Sequence, residues 1–166
     1  MTTTENSTAT SASPTDQIEE QVELQSPRSR VWRALTNADE LGAWFGANLA
    51  GNTIAPGAKV VGPVTHKGYE HVMIDLVIED VEPETRFSWR WHPDATDSKV
   101  DLSSEPRTLV TFLLEESANG GTLLRVVESG FEGVASSRRA AAFLGNSKGW
   151  AGQIQKRIPA YLAANP

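Results

Sequence analysis

Glu128 is the side chain whose type and position in this sequence most strongly suggest chemistry. It lies in the segment TLLRVVESGF, after the alternating apolar residues Leu124 and Val126, where the next inward-facing residue would be apolar. A carboxylate on a buried face must be paired, protonated or turned toward a polar ligand. The functional interpretation is that Glu128 hydrogen-bonds a molecule in a cavity, or transfers a proton to it.

A structural interpretation of Glu128 stays open beside the functional one. Gly130 marks a turn within two residues, so Glu128 could stand at a partly wet strand end. Ion pairs with no chemical role also perturb carboxylates, and the candidate partners are Arg90, Arg138 and Arg139.

Histidine and acidic patterns carry weaker signals. His66 and His71 are five residues apart, which places them on opposite faces of a strand, and we predict no metal site. Residues 94–105 begin with Asp and end with Glu, but lack the glycine that a calcium loop needs at its sixth position. We interpret this segment as a solvated loop, with a mobile flap over a cavity as the functional alternative.

Composition excludes several classes of function. The net charge of −6 argues against binding to nucleic acid or to anionic lipid, so we expect neither partner. The absence of cysteine excludes disulfides, iron–sulfur clusters and thiolate zinc sites, and we expect no cofactor. No apolar run approaches the length of a membrane span, and the first residues do not form a secretory signal. We therefore expect a cytoplasmic protein.

The elements that must position Glu128 follow from hydrophobic periodicity. QIEEQVEL predicts a strand, and two short helices follow it, the second capped by Asn37 and ended by Gly46. From about residue 59 to residue 131 the period is two, which predicts an antiparallel sheet with one wet side. The C-terminal third is helical, with a bend or break expected from Gly145, Gly149 and Pro159.

This order is similar to the helix-grip fold of the SRPBCC, or Bet v 1-like (START-like), superfamily. The segments VWRALTNADELGAWFG, IEDVEPETRFSWRW, GTLLRVVESGF and GNSKGWAGQIQKRIPAYL resemble bacterial single-domain homologues of the activator of Hsp90 ATPase. The resemblance implies an α+β fold in which a curved antiparallel sheet wraps around a long C-terminal helix. It also implies a cavity between the two.

Members of that superfamily bind hydrophobic small molecules, and some are cyclases or hydratases. The resemblance therefore implies a hydrophobic or aromatic ligand, with two alternatives: an enzyme using Glu128 as acid or base, and a module that binds a chaperone. We expect either a monomer or a homodimer. Core filling is the default interpretation of the inward tryptophans, but their N–H groups need partners when buried. The predicted ligand-binding residues are Trp44, Phe45, Ile74, Trp89, Trp91, Phe112, Glu128, Phe131, Trp150 and Ile154.

The domain organisation is predicted to be a tail followed by one helix-grip domain over residues 17–166. Residues 1–16 are rich in Ser and Thr and contain too little apolar surface to order themselves, which predicts a disordered tail. Deleting this tail should leave the melting temperature within about two degrees, because no core residue lies there. Thermal unfolding of the full-length and shortened chains measures this. A large drop would mean that the tail packs against the domain.

Overall fold

The computed structural model describes residues 17–166, and the predicted tail lies outside the described residues. Six strands form a single antiparallel sheet with the order β1-β6-β5-β4-β3-β2. The strands are β1 (Gln17–Leu24), β2 (Lys59–Pro63), β3 (Met73–Glu82), β4 (Arg86–Trp91), β5 (Thr108–Glu116) and β6 (Thr122–Ser129). The predicted helix-grip fold is confirmed: a curved sheet, a long C-terminal helical segment, and two short helices after the first strand.

The helices are α1 (Arg28–Thr36), α2 (Ala38–Phe45), α3 (Ser136–Gly152) and α4 (Ile158–Ala164). As predicted, the Asn37 side chain caps α2, by accepting a hydrogen bond from the backbone N–H of Glu40 at 3.1 Å. Gly46 ends α2 at φ 93°, a left-handed conformation that glycine adopts without a Cβ clash. This turn leaves Phe45 at the end of the helix, next to the sheet.

The predicted disturbance of the C-terminal helix occurs at one place. α3 runs without interruption through Gly145 and Gly149, and a π-helical turn, Gln153–Arg157, joins it to α4. Pro159 follows this turn and has no backbone N–H to donate, so a wider turn just before it accommodates the missing hydrogen bond. The expectation of a break at the glycines was wrong, because packing on the sheet outweighs their low helix propensity.

The inward face of the sheet follows the predicted alternation. On β6 the side chains of Thr122, Leu124, Val126 and Glu128 are buried, and the residues between them are half-buried. On β3 the register to β4 shifts by one residue between Ile78 and Val81, a bulge that bends the strand.

Aromatic side chains fill most of the space between sheet and helix. Trp89 and Phe112 lie on neighbouring strands with ring centroids 5.1 Å apart, and Trp150 of α3 lies 5.7 Å from Phe112. Trp89, Phe112, Val126, Trp150 and Ile154 are all buried, as their predicted inward faces required, whereas Ile74 is half-buried.

Replacing Trp150 with alanine should lower the free energy of unfolding by about 3–5 kcal/mol, because the cavity left between α3 and the sheet cannot be refilled by its neighbours. Urea unfolding followed by circular dichroism measures the change. Leu144→Ala is the control, since Leu144 lies on the same helix with 56% of its surface exposed. An unchanged stability for Trp150→Ala would contradict this packing.

Candidate functional site

The Glu128 carboxylate is fully buried and accepts four hydrogen bonds. Oε2 accepts from Trp91 Nε1 at 2.8 Å and from Thr108 Oγ1 at 2.7 Å. Oε1 accepts from Asn146 Nδ2 at 2.8 Å and from Trp150 Nε1 at 2.9 Å. Two donors at each oxygen are the arrangement that suits a carboxylate acting only as an acceptor. We call these five residues the Glu128 cluster.

The fold brings these residues together from four elements. Trp91 ends β4 and pairs in register with Thr108, the first residue of β5. Glu128 lies one strand further along the sheet, on β6, near the end where it pairs with β5. Asn146 and Trp150 are four residues apart on α3, a spacing that places both on the same side of the helix. The cluster therefore joins α3 to three strands at one end of the sheet.

The candidate arginines all have other partners. Arg138 pairs with Glu105 at 2.7 Å, and Arg139 donates to the backbone carbonyls of Glu132 and Val134. Arg90 pairs with Glu79. The ion-pair interpretation of Glu128 was wrong, because neutral donors on the inner face already occupy both oxygens. The interpretation of Glu128 as a residue at a solvent-exposed strand end was wrong too, since its carboxylate is buried.

A cleft of about 590 Å³ lies beside the Glu128 cluster, at one end of the interface between sheet and helix. Its walls come from the end of α2, the start of β3, the end of β4, two loops and one residue of α3, Asn146. The cleft is open to solvent: Tyr69, Met73 and Val100 line it and are each about half exposed.

Three of the ten predicted ligand-binding residues line this cleft: Phe45, Ile74 and Trp91. The other seven are buried in the packed interior and are not part of the cleft wall: Trp44, Trp89, Phe112, Glu128, Phe131, Trp150 and Ile154. Hydrophobic periodicity placed those on strands and helices correctly on inner faces, but it does not indicate depth along the sheet. The middle of the interface is filled by rings, and the cleft opens where β3 and β4 meet the loops.

The cleft also contains side chains that sequence reasoning missed or placed elsewhere. His66 and His71 both line it, although a strand would have put them on opposite faces. They lie in the connection between β2 and β3, to which strand alternation does not apply. His92 and Asn146 line it as well, and no sequence pattern marks either of them.

The imidazole of His92 lines the cleft and has a lowered pKa. Burial lowers the pKa of His92, and the Arg107 guanidinium nearby lowers it further. The neutral imidazole is therefore favoured at neutral pH. Over residues 17–166, no three His, Asp or Glu side chains stand close enough together to hold a metal ion.

The loop of residues 94–105 forms the outer wall of the cleft and is held at both ends by Arg138. The Arg138 guanidinium donates to the backbone carbonyl of Pro93 at 2.9 Å and to both carboxylate oxygens of Glu105. The hydrogen bonds from Arg138 lower the pKa of Glu105, so this pair stays charged well into the acidic range. Between these fixed ends, residues 94–98 together with Val100 and Leu102 line the cleft.

Comparison with known proteins places the chain in a family. The model of the family described as "Activator of Hsp90 ATPase homolog 1-like protein" matches residues 25–163. The chain belongs to this family. The match spans α1 to α4 and includes the whole Glu128 cluster. No match was found among the curated proteins.

Solved structures of similar fold come from several bacteria. MLL2253 from Mesorhizobium loti is 25% identical, with a TM-score of 0.67 over 90% of this chain and 98% of that one. Ms6760 from Mycobacterium smegmatis is 18% identical, with a TM-score of 0.67 over 92% and 94%. DynU16, described as a protein in the dynemicin biosynthetic locus, is 23% identical with a TM-score of 0.63; the match covers 89% of this chain but 47% of DynU16.

Within residues 17–166 of this Activator of Hsp90 ATPase homolog 1-like chain, no helix combines the length and the apolar character that crossing a membrane requires.

Replacing Glu128 with glutamine should lower the free energy of unfolding by at least about 2 kcal/mol. The new amide group would point a donor at the donors of Asn146 and Trp150, or at those of Trp91 and Thr108. Glu115→Gln is the matched control, because Glu115 is exposed on β5. Urea unfolding of both variants measures the difference. Equal stability of Glu128→Gln and the parent would show that the four hydrogen bonds contribute little.

Proposed function

We propose that this protein binds an apolar or aromatic small molecule in the cleft beside the Glu128 cluster. The observation that carries the proposal is the cleft itself, which is open, has a mostly apolar lining surface and contains polar side chains in its wall, Asn146 among them. Its volume of about 590 Å³ falls in the range of about 300–1,000 Å³ that is typical of small-molecule sites. The family match supports a ligand-binding domain at this level.

The apolar walls support a flat ligand. The rings of Phe45 and Trp91 stand 5.9 Å apart and tilted at 56°, and both line the cleft. Trp91 cannot rotate freely, since its N–H is held by Glu128. A fixed indole beside a phenyl ring presents a surface on which an aromatic or alicyclic ring can pack. The remaining aliphatic lining residues are Val64, Val72, Met73, Ile74, Ala95, Val100 and Leu102.

The enzyme alternative, with Glu128 as acid or base, has less support. A general acid or base must reach the proton that it transfers, directly or through one water molecule. Glu128 is fully buried, does not line the cleft, and has two donors at each oxygen. Its influence on a bound molecule would pass through Trp91 and Asn146, which contact both the carboxylate and the cleft.

The chaperone alternative rests on the family description alone. A domain that only binds another protein can have a closed core with no pocket, whereas an open apolar pocket that contains a polar group favours binding of a small molecule. The open cleft therefore favours a small molecule over a chaperone as the primary partner.

Filling the cleft should abolish binding of a neutral aromatic probe. Ile74→Trp adds an indole at a lining position, and we expect it to raise the Kd for N-phenyl-1-naphthylamine at least about tenfold by excluding the probe sterically. Probe fluorescence titrated against protein gives the Kd.

Val61→Trp is the matched control for this substitution. Val61 is a β-branched residue on neighbouring β2, 38% exposed and outside the cleft, so the same change there should leave the Kd unaltered. Equal affinity of the parent and Ile74→Trp would locate the probe elsewhere. No binding by the parent would count against the proposed function itself.

A further inference from the structure

The amide group of Asn146 has a defined orientation. Nδ2 donates to Glu128 Oε1 at 2.8 Å, and the other three neighbours of that carboxylate are donors as well. Turning the amide over would place Oδ1 against a carboxylate oxygen, so that two acceptors would face each other. The acceptor oxygens of Glu128 therefore decide which end of the amide faces away from the cluster.

The outward end of this amide is Oδ1. Asn146 lines the cleft, and within residues 17–166 its Oδ1 accepts no hydrogen bond. Oδ1 is also not among the buried side-chain atoms that lack a partner, so solvent can reach it. Asn146 thus holds a solvent-accessible carbonyl oxygen of fixed direction at the cleft, whose wall also contains the rings of Trp91 and Phe45.

From this geometry we infer that the cleft selects ring compounds carrying a hydroxyl or N–H group, which donates a hydrogen bond to Asn146 Oδ1. This inference rests on the proposed binding function. A hydroxyl on an aromatic ring suits the site best, because it can donate to Oδ1 and also accept from the second hydrogen of Nδ2. An ether or a bare ring would leave Oδ1 without a donor and would lose its contact with water.

Glu128 acts here as a positioning residue. It does not line the cleft, and its contribution is to hold Asn146 with the carbonyl outward and Trp91 with its ring in the wall. The buried carboxylate thereby determines the hydrogen-bonding polarity of a site that it does not touch.

Two probes that differ by one hydrogen-bond donor test the inference. 2-Naphthol and 2-methoxynaphthalene share a ring system, and each is titrated to displace N-phenyl-1-naphthylamine. For each variant we compare the Kd of 2-methoxynaphthalene divided by the Kd of 2-naphthol with the same ratio in the parent protein. The two probes also differ in hydrophobicity, and this difference contributes equally to the ratio in every variant, so only the change in the ratio reports the hydrogen bond. In Asn146→Leu the preference for 2-naphthol should fall by about two- to tenfold, the value of one hydrogen bond.

Two further variants complete the test. Asn146→Ala should show the same fall without added bulk, which covers the case in which leucine disturbs folding. Ser147→Ala, on the same helix but outside the cleft wall, should keep the ratio of the parent.

The outcomes separate the two proposals. A ratio that stays constant in both Asn146 variants, while both probes still bind, overturns the inference and leaves the binding function standing. Failure of both naphthalenes and of the fluorescent probe to bind the parent would instead overturn the binding function.

Discussion

The buried carboxylate of Glu128, which forms no ion pair with any side chain of residues 17–166, holds the sheet and the C-terminal helix together at one end. Transferring an ionised carboxylate from water to a protein interior is strongly unfavourable unless hydrogen bonds replace its hydration. In this protein, uncharged hydrogen-bond donors from β4, β5 and α3 replace the hydration of the carboxylate, with two donors at each oxygen. The energy of this arrangement depends on all donors being present at once, so it constrains where α3 can lie on the sheet.

That constraint explains the distribution of filled and empty space. Trp150 is held against the sheet through its N–H and completes the ring packing with Trp89 and Phe112, which leaves the middle of the interface solid. One turn before Trp150, the helix residue that faces the strands is Asn146, which is smaller than tryptophan. The cleft opens at this place, with Trp91 and Phe45 as its aromatic walls.

The stability of the cluster and the shape of the cleft are consequently coupled through shared residues. Trp91 and Asn146 each contact both Glu128 and the cleft, so substitutions at these three positions should not be additive. The outer wall is attached to the same helix, because Arg138 of α3 holds Pro93 and Glu105 at either end of the cleft loop. Solved structures with 18–25% sequence identity share the fold of this chain. A fold shared at such low sequence identity does not define a ligand, so any ligand must be argued from the residues that line this cleft.

The sequence by itself determined the order of elements and the face of each strand residue. A period of two requires every second side chain to share a face, so Glu128 had to point inward with Leu124 and Val126. The same rule placed Trp89 and Trp91 inward, and the need of buried indoles for hydrogen-bond partners was visible from the residue type alone.

Only the tertiary structure decided what meets at the site. The donors to Glu128 lie between 18 and 37 residues away in the chain, and each was placed by strand register or helix docking, which no local pattern encodes. Hydrophobic periodicity indicates which face of the sheet a side chain occupies, but not how far it lies from the edge of the packed core. It therefore could not distinguish Trp91 in the cleft wall from Trp89 in the core. His66 and His71 lie in a loop, where alternation has no meaning. The buried indole and the buried carboxylate were each recognisable in the sequence, but their contact depends on distances that only folding creates.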